Sequence, residues 1–187
     1  MEQRYSSTAI ALHWLLAAGI LFQIGLGWYL GEVPRGTPAR TVWVNFHKSV
    51  GLTLGVLILA RLAWRLTHRP PPLPESMPAW ERVAARANHA LLYACMVTMP
   101  IAGFAASNFS KFGVKYFGLV QIPPLGVDDR QIYAVLQGIH VGTSYVFVAL
   151  IALHVAAALK HLLIDRDGVM RRMWPARGEY RQYKPAR

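Results

Sequence analysis

Four apolar stretches almost free of charge run through this 187-residue chain, and each is long enough to cross a bilayer. They cover roughly residues 8–30, 46–64, 83–106 and 132–163. At about 1.5 Å per helical residue, each comes close to the roughly 30 Å of a hydrocarbon core or exceeds it. Helices satisfy their backbone polar groups internally, so four such runs predict an all-α, integral membrane four-helix bundle. Residues 1–187 then form a single transmembrane domain.

The charge pattern agrees. A hydrophobic content of 54% sits beside a net charge of +11, and the two coexist because Lys and Arg crowd the segments between and after the apolar runs. Nucleic-acid binding needs a basic face on a folded soluble domain, whereas basic residues flanking apolar runs set membrane orientation. With four spans both termini share a side. That side carries Arg4, Arg61, Arg65, Arg69, Arg82, Arg86 and eight further basic residues from Lys160 to Arg187, 14 in all, against six (Arg35, Arg40, Lys48, Lys111, Lys115, Arg130) on the other. The excess predicts cytoplasmic termini. The N-terminal run continues past Trp28 without a small-residue cleavage site, which reads as a retained helix. Cys95 is the single cysteine, so neither an intrachain disulfide nor covalent c-type haem attachment is available. The segment from Ser107 to Gln131, with Pro123-Pro124, is too polar to span and long enough to fold over a membrane surface.

Six of seven histidines lie within or at the ends of apolar runs: His13, His47, His89, His140, His154 and His161, with His68 in a loop. Ionisable residues inside membrane segments are rare and point to function. His140 and His154 are 14 residues apart, which brings them back to within about 40° of one helix face at a rise of about 21 Å. That spacing suits two stacked cofactors, one in each leaflet. Haem takes an imidazole on each axial side, and facing helices of a bundle can supply one each. His47 with His140 then forms an outer site and His13 with His154 an inner one, for two b haems, with His89 competing for the inner layer or serving beside it. His161 falls about 10 Å beyond His154 on nearly the same face, in the headgroup region, as a hydrogen-bond partner for a quinone head or as a capping side chain. Arg61 and Arg65 suit haem propionates, although positive-inside anchoring also accounts for them. Gly19, Gly25, Gly27, Gly51, Gly55, Gly138 and Gly142 would let a flat ring approach backbone, as ordinary helix packing through small residues also would.

The segments Ala11-Leu12-His13-Trp14, Asn45-Phe46-His47-Lys48-Ser49-Val50-Gly51-Leu52, Asn88-His89-Ala90-Leu91-Leu92-Tyr93, Ile139-His140 and Leu153-His154-Val155-Ala156-Ala157-Ala158-Leu159-Lys160-His161 resemble the bacterial cytochrome b561 family. The resemblance runs along nearly the whole chain, with the histidines in order. It implies a four-helix bundle holding two bis-histidine b haems on His13, His47, His140 and His154. One member type oxidises periplasmic superoxide and reduces ubiquinone in the inner membrane, and the resemblance implies that activity here. An electron-transfer subunit anchoring a periplasmic dehydrogenase or hydrogenase is the alternative. Under the first reading Lys48, Lys111, Lys115 and Arg130 attract a small anion from the periplasm, an effect that salt weakens. Under either, the partners are lipid, ubiquinone, and superoxide or a donor protein.

Overall fold

The structure, a computed structural model, describes residues 4–74 and 76–175. Four long helices dominate it: α1 (Ser7–Glu32), α2 (Pro38–Thr67), α3 (Ala79–Asn108) and α4 (Arg130–Lys160), which runs on into a π-turn at His161–Asp165. Each is long and apolar enough to cross a membrane, and the protein is a multi-pass membrane protein. Arg177, Arg181, Lys184 and Arg187, which contribute to the charge asymmetry, lie outside the described residues.

The helices outrun the apolar stretches because their caps lie beyond them. Ser6 accepts a hydrogen bond from the Ala9 amide, and Thr37 accepts from Arg40 with Pro38 in the first turn, where a missing N–H does no harm. Thus α2 begins eight residues before the apolar run at Phe46. Asp129 caps α4 by accepting from Gln131 and Ile132. Arg40, one of the minority-side basic residues, donates to the carbonyls of Leu30 and Val33 and closes the C-terminal end of α1.

Packing sits in a narrow centre. Leu16, Leu54, Ile58, Cys95, Met96 and Phe147 form the buried cluster, while Leu21, Phe22, Val56, Leu59, Val141 and Leu153 face outward. An apolar exterior around a small core is the arrangement lipid permits, since acyl chains cover what water would reject. Pro100 lies inside α3 against Gly55, where an added Cβ would come within 3.3 Å of the proline ring.

The α3–α4 connection differs from a plain loop. Val114–Tyr116 (β1) and Val120–Ile122 (β2) pair antiparallel, with Lys115 opposite Gln121. The turn between them places Phe117 and Gly118 both at positive φ. At the opposite end of the bundle the chain after α4 returns to α1. Trp14 Nε1 donates to the Met173 carbonyl at 2.8 Å, Arg4 to that of Trp174 at 2.6 Å, and Arg172 to that of Pro72 at 2.6 Å.

Candidate cofactor site

Facing helices bring the histidines together in two tiers. In the tier away from the termini, His47 on α2 and His140 on α4 have ring centroids 6.2 Å apart. In the other tier His13 on α1 lies 6.2 Å from His154 on α4, and His89 on α3 lies 5.3 Å from the same His154. Two imidazoles bound to one metal from opposite sides, each nitrogen about 2 Å from it and each centroid about 1 Å further back, stand about 6 Å apart. The spacing in both tiers matches that arithmetic for His47–His140 and for His13–His154, and His89–His154 falls short of it.

The neighbours of His140 set its chemistry. Its Nδ1 lies 2.9 Å from the Met99 carbonyl. A carbonyl only accepts, so Nδ1 carries the proton and Nε2 keeps a lone pair, the state a metal requires. Gly103 makes room for the ring: a Cβ there would sit 3.1 Å from two of its atoms. Across the bundle, the Nδ1 of His47 is buried without a hydrogen-bond partner. Its backbone carbonyl accepts from Gln23 Nε2 at 2.8 Å, and its ring faces Gly27, where a Cβ would stand 3.8 Å away. Gly27 and His13 are 14 residues apart on α1, so α1 repeats the spacing found on α4.

In the tier nearer the termini Arg61 Nη2 lies 3.4 Å from His13 Nδ1, and Nη1 donates to the Ala9 carbonyl at 3.1 Å. Arg61 and Arg65 both lie over the Tyr93 ring, at 5.9 and 5.4 Å. The Ala85 carbonyl accepts from the His89 ring. Two turns beyond His154, His161 Nδ1 lies 2.7 Å from Asp167 and 3.1 Å from Asp165, while Lys160 bridges Glu81 at 3.0 Å and Asp165 at 2.6 Å. His68 stacks on Trp64 with centroids 3.8 Å apart, away from both tiers.

The sequence-predicted basic residues at the far end separate into different roles. Lys48 donates to the Gly113 carbonyl at 2.9 Å, which ties the root of the β-hairpin to α2. Lys111 is exposed and 3.8 Å from Asp128. Lys115 is exposed within β1, and Arg130 is exposed at the start of α4. Together they leave a positive rim that Asp128 and Asp129 partly offset.

A family model described as "Prokaryotic cytochrome b561" matches residues 4–176. The chain belongs to the prokaryotic cytochrome b561 family. Membership carries haem b binding and electron transfer within the membrane, and the donor set fits the group: paired imidazoles at the right separation, one with its tautomer fixed, a buried ring nitrogen without a partner, and a glycine that clears space for a ring. Among similar proteins, "Cytochrome b561 homolog 1" of Escherichia coli is 28% identical over 174 residues, which cover 93% of this chain and 98% of that protein. "Cytochrome b561 homolog 2" of the same organism is 31% identical over 172 residues, 91% of each. "Probable superoxide oxidase CybB" of Yersinia pestis is 27% identical over 179 residues, 94% of this cytochrome b561 chain and 98% of that one.

Sequence reasoning missed Gly103, Gln23 and the two aspartates beside His161. Gln23 carried a legible signal, since an amide inside an apolar run demands a partner. Gly103, among alanines and serine, carried none.

Proposed function

We propose that this cytochrome takes electrons from superoxide at the end bearing the β-hairpin and delivers them to ubiquinone at the end bearing the termini. The orientation follows from charge: both termini cytoplasmic, in a bacterial inner membrane. The observation that carries the reading is the pair of imidazole tiers, each 6.2 Å across and about 21 Å apart along α4. These imidazole pairs would hold two haem b groups, which would supply one-electron transfer between the faces when bound.

The side chains do the rest. His47 and His140 would hold the outer group, and His13 and His154 the inner one. Arginine cannot accept a hydrogen bond, so the Arg61 contact places the lone pair of His13 on Nδ1. Holding the inner group through Nε2 would shift the proton to Nδ1, and Arg61 would then turn to an anionic acceptor. His89 stands beside His154 in the inner tier. His161, whose Nδ1 is held by Asp167 and Asp165, would offer Nε2 to a quinone head and supply a proton on its reduction. Two superoxide anions each lose one electron to become dioxygen, and one quinone takes up two electrons and two protons, so the balance closes. Lys111, Lys115 and Arg130 raise the encounter rate of the anion, and Lys48 acts by positioning the hairpin.

The likeness to a protein named a probable superoxide oxidase supports the choice of donor. Stopped-flow mixing of the purified protein with superoxide tests it: rapid haem reduction without any partner, followed by reoxidation on addition of a quinone analogue, is expected. Inertness toward superoxide sinks the reading and favours a docked donor protein.

A further inference from the structure

The β1–β2 hairpin presents an apolar surface that water would reject. Leu119 at its turn is 86% exposed and Val120 57%, and Phe112, Leu125 and Val127 around its root are exposed as well. Contiguous exposed apolar residues on this scale mark a surface that something covers.

Depth along the bundle says what that is. With the two imidazole tiers about 21 Å apart and set symmetrically in a hydrocarbon core of about 30 Å, the outer tier lies about 5 Å below the hydrocarbon edge. Ser49 follows His47 by two residues, about 3 Å deeper. The hairpin is fastened at this depth. The Phe117 amide donates to Ser49 Oγ at 2.8 Å, and Thr53 Oγ1 bonds Tyr116 OH at 2.9 Å. Its turn is continuous with the lipid-facing surface of the helices: the Phe117 ring packs at 6.0 Å on Phe46, which packs at 6.2 Å on the exposed Phe22 of α1.

The backbone is prepared for a place poor in water. Unpaired sheet edges are intolerable against acyl chains, and here side chains take up several of the hairpin's free backbone groups. Lys48 takes the Gly113 carbonyl, Asn45 Oδ1 accepts from the Lys115 amide at 3.3 Å, and Ser49 takes the Phe117 amide. On the other strand Gln121 folds its amide back onto the carbonyls of Phe112 and Ile122. Phe117, a non-glycine residue at φ 44°, holds a conformation that costs about 1–3 kcal/mol, fixed by the hydrogen bond its N–H donates to Ser49 and by its ring contact with Phe46.

We propose that the β1–β2 hairpin lies in the headgroup–acyl boundary of the leaflet opposite the termini, with Leu119 and Val120 inserted among lipid chains. It is then a membrane-seated cap on the outer tier. Water and anions reach that tier from the side of the Lys111–Asp128 pair, and the Leu119 side is closed by lipid.

The test places a bimane fluorophore on Leu119→Cys, and separately on Val120→Cys, in the full-length haem-loaded protein in nanodiscs holding one copy each. Cys95 is buried, and labelling of the unsubstituted protein sets the background. Arg35→Cys, in the exposed α1–α2 turn, is the aqueous reference. Lipids brominated near the top of the acyl chain are expected to quench both hairpin labels several-fold more than the reference, and a charged membrane-impermeant maleimide to react with both cysteines far more slowly than with Cys at position 35. Two outcomes overturn the proposal. One is absence of quenching with maleimide reactivity equal to the reference, which puts the hairpin in water. The other is quenching at neither site with slow reactivity at both, which means that protein covers it.

Discussion

Replacing Gly103 separates the cofactor argument from general helix packing. A Cβ at this position lies 3.1 Å from both Cε1 and Nδ1 of His140, where carbon contacts relax only at about 3.5–4.0 Å. In Gly103→Ala the imidazole has to retreat by about half an ångström. Part of that shift falls on the Nδ1–Met99 hydrogen bond, now 2.9 Å, and takes it beyond the roughly 3.2 Å at which such bonds remain good. The bond contributes about 1 kcal/mol, and loss of a partner that orients a ligating histidine typically lowers metal affinity by about 10–100-fold. Meanwhile Gly→Ala inside a helix favours folding by roughly 0.5–1 kcal/mol. The two effects have opposite signs on different observables. Thermal stability of the haem-free protein should hold or rise, and retention of one haem, read by pyridine haemochrome after challenge with excess apomyoglobin, should fall about tenfold. Gly103→Val, with two branches directed at the ring, should lose that haem and keep the other. Two full haem equivalents in Gly103→Val, or equal loss of both, would refute the reasoning.

Other substitutions probe the remaining contacts. Asp167→Asn and His161→Phe should each retain two haems but slow quinone-dependent reoxidation, by about 100-fold or more if His161 acts as general acid; unchanged single-turnover rates contradict that role. Lys111→Glu should slow reduction by superoxide at low ionic strength, and the difference should fade towards physiological salt, where the screening length is about 8 Å. A salt-independent defect rules out steering. Ser49 is fully buried, donates to the Asn45 carbonyl at 2.7 Å and accepts from the Phe117 amide. Ser49→Ala strands that amide and should destabilise the hairpin by about 1–3 kcal/mol, seen as faster proteolysis between Phe112 and Leu125 with both haems in place.

The fold was legible because membrane spans write themselves as apolar runs, and the tiers were legible because a 14-residue interval on a helix is a distance and a face at once. Depth set His47 level with His140, and both His13 and His89 level with His154, and the helices bring all of these rings together. Boundaries were less legible. The start of α2 was signalled by Thr37-Pro38, a cap and a first-turn proline, but hydropathy placed the helix eight residues later because Arg40 and Asn45 dilute the average. The hairpin stayed hidden for a different reason. Two three-residue strands are too short for a period to show, and the turn uses Phe117-Gly118, without the Asn-Gly or Asp-Gly pair that usually announces positive φ at both positions. The strained phenylalanine is sustained by Ser49 and Phe46, contacts about 70 residues away that no local pattern contains. Lys48 reads as a free surface charge in the sequence and is instead a clasp on Gly113, since burial and pairing belong to the fold.

Whether imidazoles from separate helices share a haem in each of two tiers is decided most directly by haem stoichiometry in a small set of variants. The unsubstituted protein should carry two haems per chain by pyridine haemochrome, His47→Ala and His13→Ala one each, and the double variant none. His89→Ala should still carry two. Loss of a haem in His89→Ala with none lost in His13→Ala, or a ratio of one in the unsubstituted protein after haem-replete expression, contradicts the pairing.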